Sequence, residues 1–196
     1  IICGDVNPSG KLADTIAKSY DCYPCKDDFW ECFDHLDYTD DIFVGYRYFE
    51  TIPGASENVR YPFGYGLSYT AFSITDPDVY QNEKNIHVTF TVTNTGTRAG
   101  REVIQLYYGA PKGKLVKPAR ELCGFVKSKL LAPGESEELT ISFSIRDMSS
   151  FDDSGVVARS CFVMEAGTYR FYLGSNVRDA SELAYTYKLS QTRITE

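Results

Sequence analysis

Nothing in this 196-residue sequence approaches the run of roughly 20 apolar residues that crosses a bilayer. Its opening residues, Ile1 to Asp5, lack the basic stretch and apolar run of a secretory leader. No membrane partner is expected. Positive charge is also short: 20 Lys and Arg face 27 Asp and Glu, a net charge of -7 and a pI near 4.9. Nucleic-acid binding rests on clustered Lys and Arg, so that class of partner is excluded. Six cysteines (Cys3, Cys22, Cys25, Cys32, Cys123, Cys161) are too few and too irregularly spaced for a disulfide framework. Reduced thiols and a cytoplasmic location are the expectation. There is no internal repeat and no low-complexity tract. The chain opens without Met on an Ile1-Ile2 pair that reads like the end of an element, as if excised from something longer.

What remains is ordinary globular material, 43% hydrophobic and 24% charged. The length suits one large or two small domains. From Phe72 onward, apolar and polar residues alternate with the period of half-buried strands. Ile86, Val88, Phe90 and Val92 form one inner face, closed by the turn Asn94-Thr95-Gly96. Val103 to Tyr108, Leu139 to Ile145, Tyr169 to Leu173 and Leu183 to Leu189 continue the pattern, with Phe72 to Thr75 as the first strand. Turn signals at Pro133-Gly134, Ala166-Gly167 and Gly174-Ser175-Asn176 fall between them. These short strands over about 115 residues predict a fibronectin type III or immunoglobulin-like β-sandwich covering residues 72–196.

Residues 1–71 read differently, with acidic pairs, crowded aromatics and one short helix-compatible stretch from Leu12 to Lys18. Ile42 to Phe49 alternates as a strand or an extended hairpin arm would. So long an irregular segment needs support from the sandwich or from a missing neighbour. It reads as a fragment of another domain.

Several strings carry a family resemblance: Asp5-Val6-Asn7-Pro8-Ser9-Gly10-Lys11-Leu12, Ile42-Phe43-Val44-Gly45-Tyr46-Arg47-Tyr48-Phe49 and Tyr61-Pro62-Phe63-Gly64-Tyr65-Gly66-Leu67-Ser68-Tyr69-Thr70. The sandwich half adds Val92-Thr93-Asn94-Thr95-Gly96, Gly100-Arg101-Glu102-Val103-Ile104-Gln105-Leu106-Tyr107, Glu121-Leu122-Cys123-Gly124-Phe125 and Leu131-Ala132-Pro133-Gly134-Glu135-Ser136. In this order they resemble glycoside hydrolase family 3 over nearly the whole chain. The resemblance implies a modular enzyme with a catalytic (β/α)8 barrel, an α/β sandwich domain and a fibronectin type III-like domain. This chain would hold the tail of the second (1–71) and all of the third. Residues 36–70 and 150–179 are worded more like members that place these two domains before the barrel. The implied parent is a retaining β-glucosidase acting on terminal β-linked glucose, with xylose or arabinose as other sugars.

Retaining glycosidases use two carboxyl groups about 5 Å apart. In the family the nucleophilic Asp lies on the barrel and the acid/base Glu precedes the segment matched by Asn7 to Leu12, so no catalytic residue is assigned here. The pairs Asp27-Asp28, Asp40-Asp41 and Asp152-Asp153 read as turn-forming, solvated loop residues. Cys22, Cys25, Cys32 and His35 have the spacing of a tetrahedral zinc site, but the family stretch does not carry them and packed or exposed thiols are the preferred reading. No metal and no cofactor are expected, and substrate-binding residues are not identifiable.

Phe29, Trp30, Phe33, Tyr38, Tyr46 and Tyr48 offer ring faces for sugars, yet core or interface packing explains them better. Pro62, Gly64 and Gly66 read as turn chemistry, because no helix follows to complete a phosphate loop. Lys112, Lys114, Lys117 and Arg120 read as a solvated loop.

Two functions follow. An accessory module packing on the catalytic domains requires an apolar interface on residues 1–71. An autonomous carbohydrate- or protein-binding sandwich requires an exposed aromatic row, with Tyr107 or Tyr108 and Tyr185 or Tyr187 as its candidates. The outward strand positions are mainly Thr, Ser and His, which favours the first.

Overall fold

The computed structural model describes residues 1–28 and 34–195. Strands β1 (Ile16–Ala17) and β2 (Val59–Tyr61) pair antiparallel, and a single helical turn, α1 (Tyr46–Phe49), lies between them in sequence. Apart from short 3-10 turns at Tyr20–Cys22, Ala55–Asn58 and Ile145–Met148, the other elements are strands: β3 (Phe72–Gln81), β4 (Asn85–Asn94), β5 (Val103–Gly109), β6 (Glu121–Lys127), β7 (Ser136–Ser144), β8 (Ser150–Asp152), β9 (Cys161–Met164), β10 (Gly167–Gly174), β11 (Ser181–Leu189) and β12 (Arg193–Thr195). Sheets ordered β3-β4-β7 and β11-β10-β5-β6 face each other as the fibronectin type III-like sandwich. A small third sheet, β12-β9-β8, is appended.

The period-2 pattern predicts β4 well: Ile86, Val88, Phe90 and Val92 are buried against the opposite sheet, while His87, Thr89 and Thr93 bond across to β7. The first strand runs beyond Thr75 because a bulge, with Asp76 at φ 54, carries the chain past Pro77. Pro77 is tolerated there since β3 is an edge strand. Strand β6 was not expected; its burial is only partial, so it has no clean alternation. It approaches β7 closely enough that a Cβ on Gly124 would stand 2.5 Å from Ile141 Cγ2.

Strand β5 breaks the alternation in the other sense, being buried from Ile104 to Gly109. Ile104, Leu106 and Tyr108 face the sandwich core. Tyr107 turns the other way, into a cluster with Val177, Ala180, Tyr46 and Phe63. Residues 1–71 therefore cover the outer face of this sheet, and each large side chain buried in that contact contributes about 1.5–3 kcal/mol.

Two expectations for this segment fail. Leu12 to Lys18 is extended, not helical: Leu12 N–H donates to Tyr65 O, and β1 pairs with β2. Ile42 to Phe49 is no strand; Gly45, at φ 57, turns the chain into α1, whose Phe49 is buried with Ala17, Ala55 and Val59. A small satellite core thus exists where the sequence showed none.

Candidate functional site

Polar contacts hold residues 1–71 onto the sandwich. Tyr46 Oη accepts from Leu122 N–H at 2.9 Å, and its ring lies 4.6 Å from that of Phe63 and 6.1 Å from that of Tyr107. Arg178 Nε donates to Glu50 at 2.8 Å, and its Nη2 donates to Ser56 O at 2.9 Å. Asn7 Nδ2 donates to Ala99 O at 3.0 Å while its Oδ1 accepts from Tyr69 N–H and Ser68 Oγ. Lys11 pairs with Glu102 at 2.7 Å, both side chains 14% exposed. Gly64, at φ 81, sits where any Cβ would collide with the Gln105 side chain. The turn chemistry read at Pro62 to Gly66 is therefore a close approach as well.

The opposite side of the segment is uncovered. The ladder between Leu12 and Gly64-Tyr65 and the β1–β2 pair bring Leu12, Ile16, Tyr61, Tyr65 and Leu67 around a hollow of ≈790 Å³, joined by Ile1. Ile1 is 62% and Leu67 67% exposed, and Ile2, Val6 and Tyr69 of the same segment are also exposed. A contiguous apolar face of this kind marks an interaction surface.

The other candidates are distributed through the fold without converging. Asp27 pairs with Lys26, and Asp28 accepts from Thr39 Oγ1. Asp40 stands beside the Cys25 thiol, which burial first and that carboxylate second push above its ordinary pKa. Asp41 is exposed at φ 50. Asp152 departs from the solvated reading: it is buried, and accepts from the N–H groups of Gly155, Val156, Val157 and Ala158 and from Ser154 Oγ. Burial, the largest influence, raises its pKa, but those backbone donors prevail and hold it at about 2.

Cys22 packs on the satellite core and approaches Ser19 Oγ at 3.3 Å, while His35 is exposed, 3.9 Å from Asp37. Cys32 lies outside the described residues, as do Phe29, Trp30 and Phe33. Among the described residues no group of three or more His, Cys, Asp or Glu is placed to hold a metal ion. Tyr38 is 88% exposed, and Tyr48 packs against Phe49.

The basic loop also departs from expectation. Lys117 is buried against Glu165, whose carboxylate also accepts from Lys114 and Leu115 N–H. Desolvation, the largest influence, raises the Glu165 pKa, but Lys117 and the two N–H groups together hold it below the ordinary carboxylate value. Arg120 lies over the Tyr172 ring at 4.1 Å and donates to Val177 O. Lys112 and Lys114 stay exposed. Glu165 and Arg178 had no local signal, since their partners are far away in the chain, and Asp152 is pinned by the loop that directly follows it.

The aromatic row required of a binding sandwich is absent at the named positions: Tyr107, Tyr108 and Tyr187 are buried, and Tyr185 packs on Phe171. Asn94, in the turn that ends β4, is fully buried and uses both amide donors and its carbonyl, to Arg98 O, Leu131 O, Thr70 Oγ1 and Gly96 N–H. Its role is structural. No helix among the described residues is long and apolar enough to cross a membrane.

Residues 102–177 match the fibronectin type III-like domain family. The whole chain is 50% identical to a stretch of beta-glucosidase A of Butyrivibrio fibrisolvens and 47% identical to a stretch of a beta-glucosidase of Ruminococcus albus, covering 25% and 20% of those proteins. The structure of a beta-glucosidase from Paenibacillus barengoltzii superposes with a TM-score of 0.92 at 44% identity, over all of this chain and 22% of that one. The chain thus spans a quarter or less of each of these three proteins.

Proposed function

This chain belongs to glycoside hydrolase family 3, and from that premise we propose that it is a non-catalytic accessory piece of such an enzyme. In this reading residues 72–196 are the sandwich domain. Residues 1–71 are the tail of a neighbouring α/β domain, bonded to the sandwich on one side and docked to the rest of the enzyme on the other. The observation that carries it is the apolar hollow around Leu12, Tyr61 and Leu67, left open on a segment whose opposite side is firmly held. The intact enzyme would be a cytoplasmic retaining β-glucosidase releasing terminal β-linked glucose, with both catalytic carboxyl groups on parts outside this chain. Support for that last point is local: the two buried carboxylates, Asp152 and Glu165, are committed to pinning a loop and to an ion pair.

Hydrolysis of an aryl β-glucoside, run on this chain and on the intact gene product, tests the reading. Activity is expected only in the intact protein; turnover by the 196-residue chain would sink it. Docking is tested by Leu67→Asp. It should leave the melting temperature of this chain unchanged and lower that of the intact protein, because burying a Leu contributes about 1.5–3 kcal/mol. No effect in either would remove the docking face.

A further inference from the structure

A cleft of ≈430 Å³ opens between three segments distant in sequence: 41–47, 114–121 and 149–156. Its lining shares no residue with the hollow of the docking face. All three walls are tied down. Glu165 receives the N–H groups of Lys114 and Leu115 together with Lys117 Nζ, and so fixes the second segment from behind. Asp152 receives four consecutive N–H groups, from Gly155 to Ala158, and fixes the third. Arg47, on the first, reaches Glu121 at 3.5 Å.

Removing a carboxylate from water is unfavourable unless its hydrogen bonds are restored. Here two such carboxylates are spent on surface loops that a sandwich core does not need in one shape. Rigid loops of this kind are what a preorganised site requires.

The groups presented to the cleft define its ligand. Phe151 is 53% exposed, with its ring held edge-on against Phe162 at 5.2 Å, so one aromatic surface is open without being free to turn away. Around it stand the carboxylates of Asp41, Asp153 and Glu121, the cations of Arg47 and Lys114, and the hydroxyl of Ser154. Charges of both signs nearly cancel, which disfavours a phosphate or a polyanion. A flat ring beside carboxylates and a guanidinium suits a molecule with an apolar C–H face and a rim of hydroxyls that both donate and accept. The volume lies in the roughly 300–1,000 Å³ range of small-molecule clefts.

We propose that this cleft is a saccharide-binding site, taking a short neutral oligosaccharide with one ring on Phe151 and its hydroxyls on Asp153, Asp41 and Arg47. The inference does not rest on the docking reading, since the cleft is complete within this chain.

Titration of the nitrogen-15-labelled 196-residue chain with cellobiose tests it. Saturable amide shifts are expected, with a Kd of about 1 mM, confined to residues 41–47, 114–121 and 149–158. Phe151→Ala should weaken binding at least about tenfold, with a small drop in melting temperature from the lost contact with Phe162, and Asp153→Asn should weaken it by a smaller factor at unchanged melting temperature, because that side chain is exposed. No saturation at about fifty times that concentration, shifts centred elsewhere, or full affinity in Phe151→Ala would each overturn the proposal. Hydroxyl-radical footprinting of the sugar-free intact gene product separates the rival occupant. Phe151 should be freely labelled; protection there would make the cleft an interdomain contact and overturn the proposal too.

Discussion

Replacing Lys117 by Met leaves Glu165 with a buried negative charge and no cation. The side chains of the pair are only 5% and 8% exposed, so water cannot readily substitute. Removing one partner of a buried ion pair costs about 3–5 kcal/mol. Two backbone donors, Lys114 and Leu115 N–H, stay in place and moderate the loss, which puts Lys117→Met near about 3 kcal/mol. For a chain of this size that is a drop of about 6–12 °C in melting temperature. The double variant Lys117→Met/Glu165→Gln should recover part of it, since the amide oxygen still accepts from the loop while the buried charge is gone.

The pH dependence follows from the direction of the Glu165 shift. Its folded pKa is lowered, so its stabilisation is present above the ordinary carboxylate value and is lost as pH falls through the lowered one. Lys117→Met removes the foremost of the influences that lower it, so the folded pKa moves up from its wild-type position. The penalty is then full at neutral pH and fades as the carboxyl protonates, so the gap between wild type and variant narrows on acidification. Circular-dichroism melts at pH 7 and pH 4 read both effects. A drop under about 2 °C at pH 7, or a double variant no better than the single, would refute the assignment of Lys117 as the counter-charge.

Asp152 gives a second acid-sensitive element. Its pKa, lowered from 3.8 to about 2, means that it holds the 155–158 loop fully above pH 4 and releases it as pH falls through about 2. Amide hydrogen exchange at Gly155 to Ala158 should accelerate in Asp152→Ala at neutral pH, and unchanged protection there would remove its anchoring role. At the junction of the segment and the sandwich, Tyr46→Phe orphans Leu122 N–H. It should cost about 1 kcal/mol, or about 2–4 °C, in a thermal melt. An unchanged melt would show that this hydroxyl is replaced by water.

The sandwich was legible because half-buried strands announce themselves by alternation, and β4 with its Ile86-Val88-Phe90-Val92 face needed no other information. The same rule could not anticipate β5, where Tyr107 is as buried as Leu106, because what covers the second face, Tyr46 and Phe63 on one side of it in the chain and Val177 and Ala180 on the other, is far away in sequence. Nor could local pattern show that Ile42 to Phe49 turns at Gly45 into a helical turn: the alternation was real, but the satellite core of Ala17, Phe49 and Val59 decided where Phe49 points.

Charges were the least readable. Lys117 and Asp152 have the neighbours of solvated loop residues, and only the return of Glu165 beside one loop, and the fold of 155–158 around the other, buried them. Periodicity and motif order, properties of adjacent residues, were thus set by the sequence itself: a mainly β chain with a sandwich from Phe72 and a family resemblance throughout. Burial of charge, the rigid cleft at Phe151 and the open apolar hollow at Leu67 depend on segments that meet only in three dimensions, and tertiary structure alone decided them.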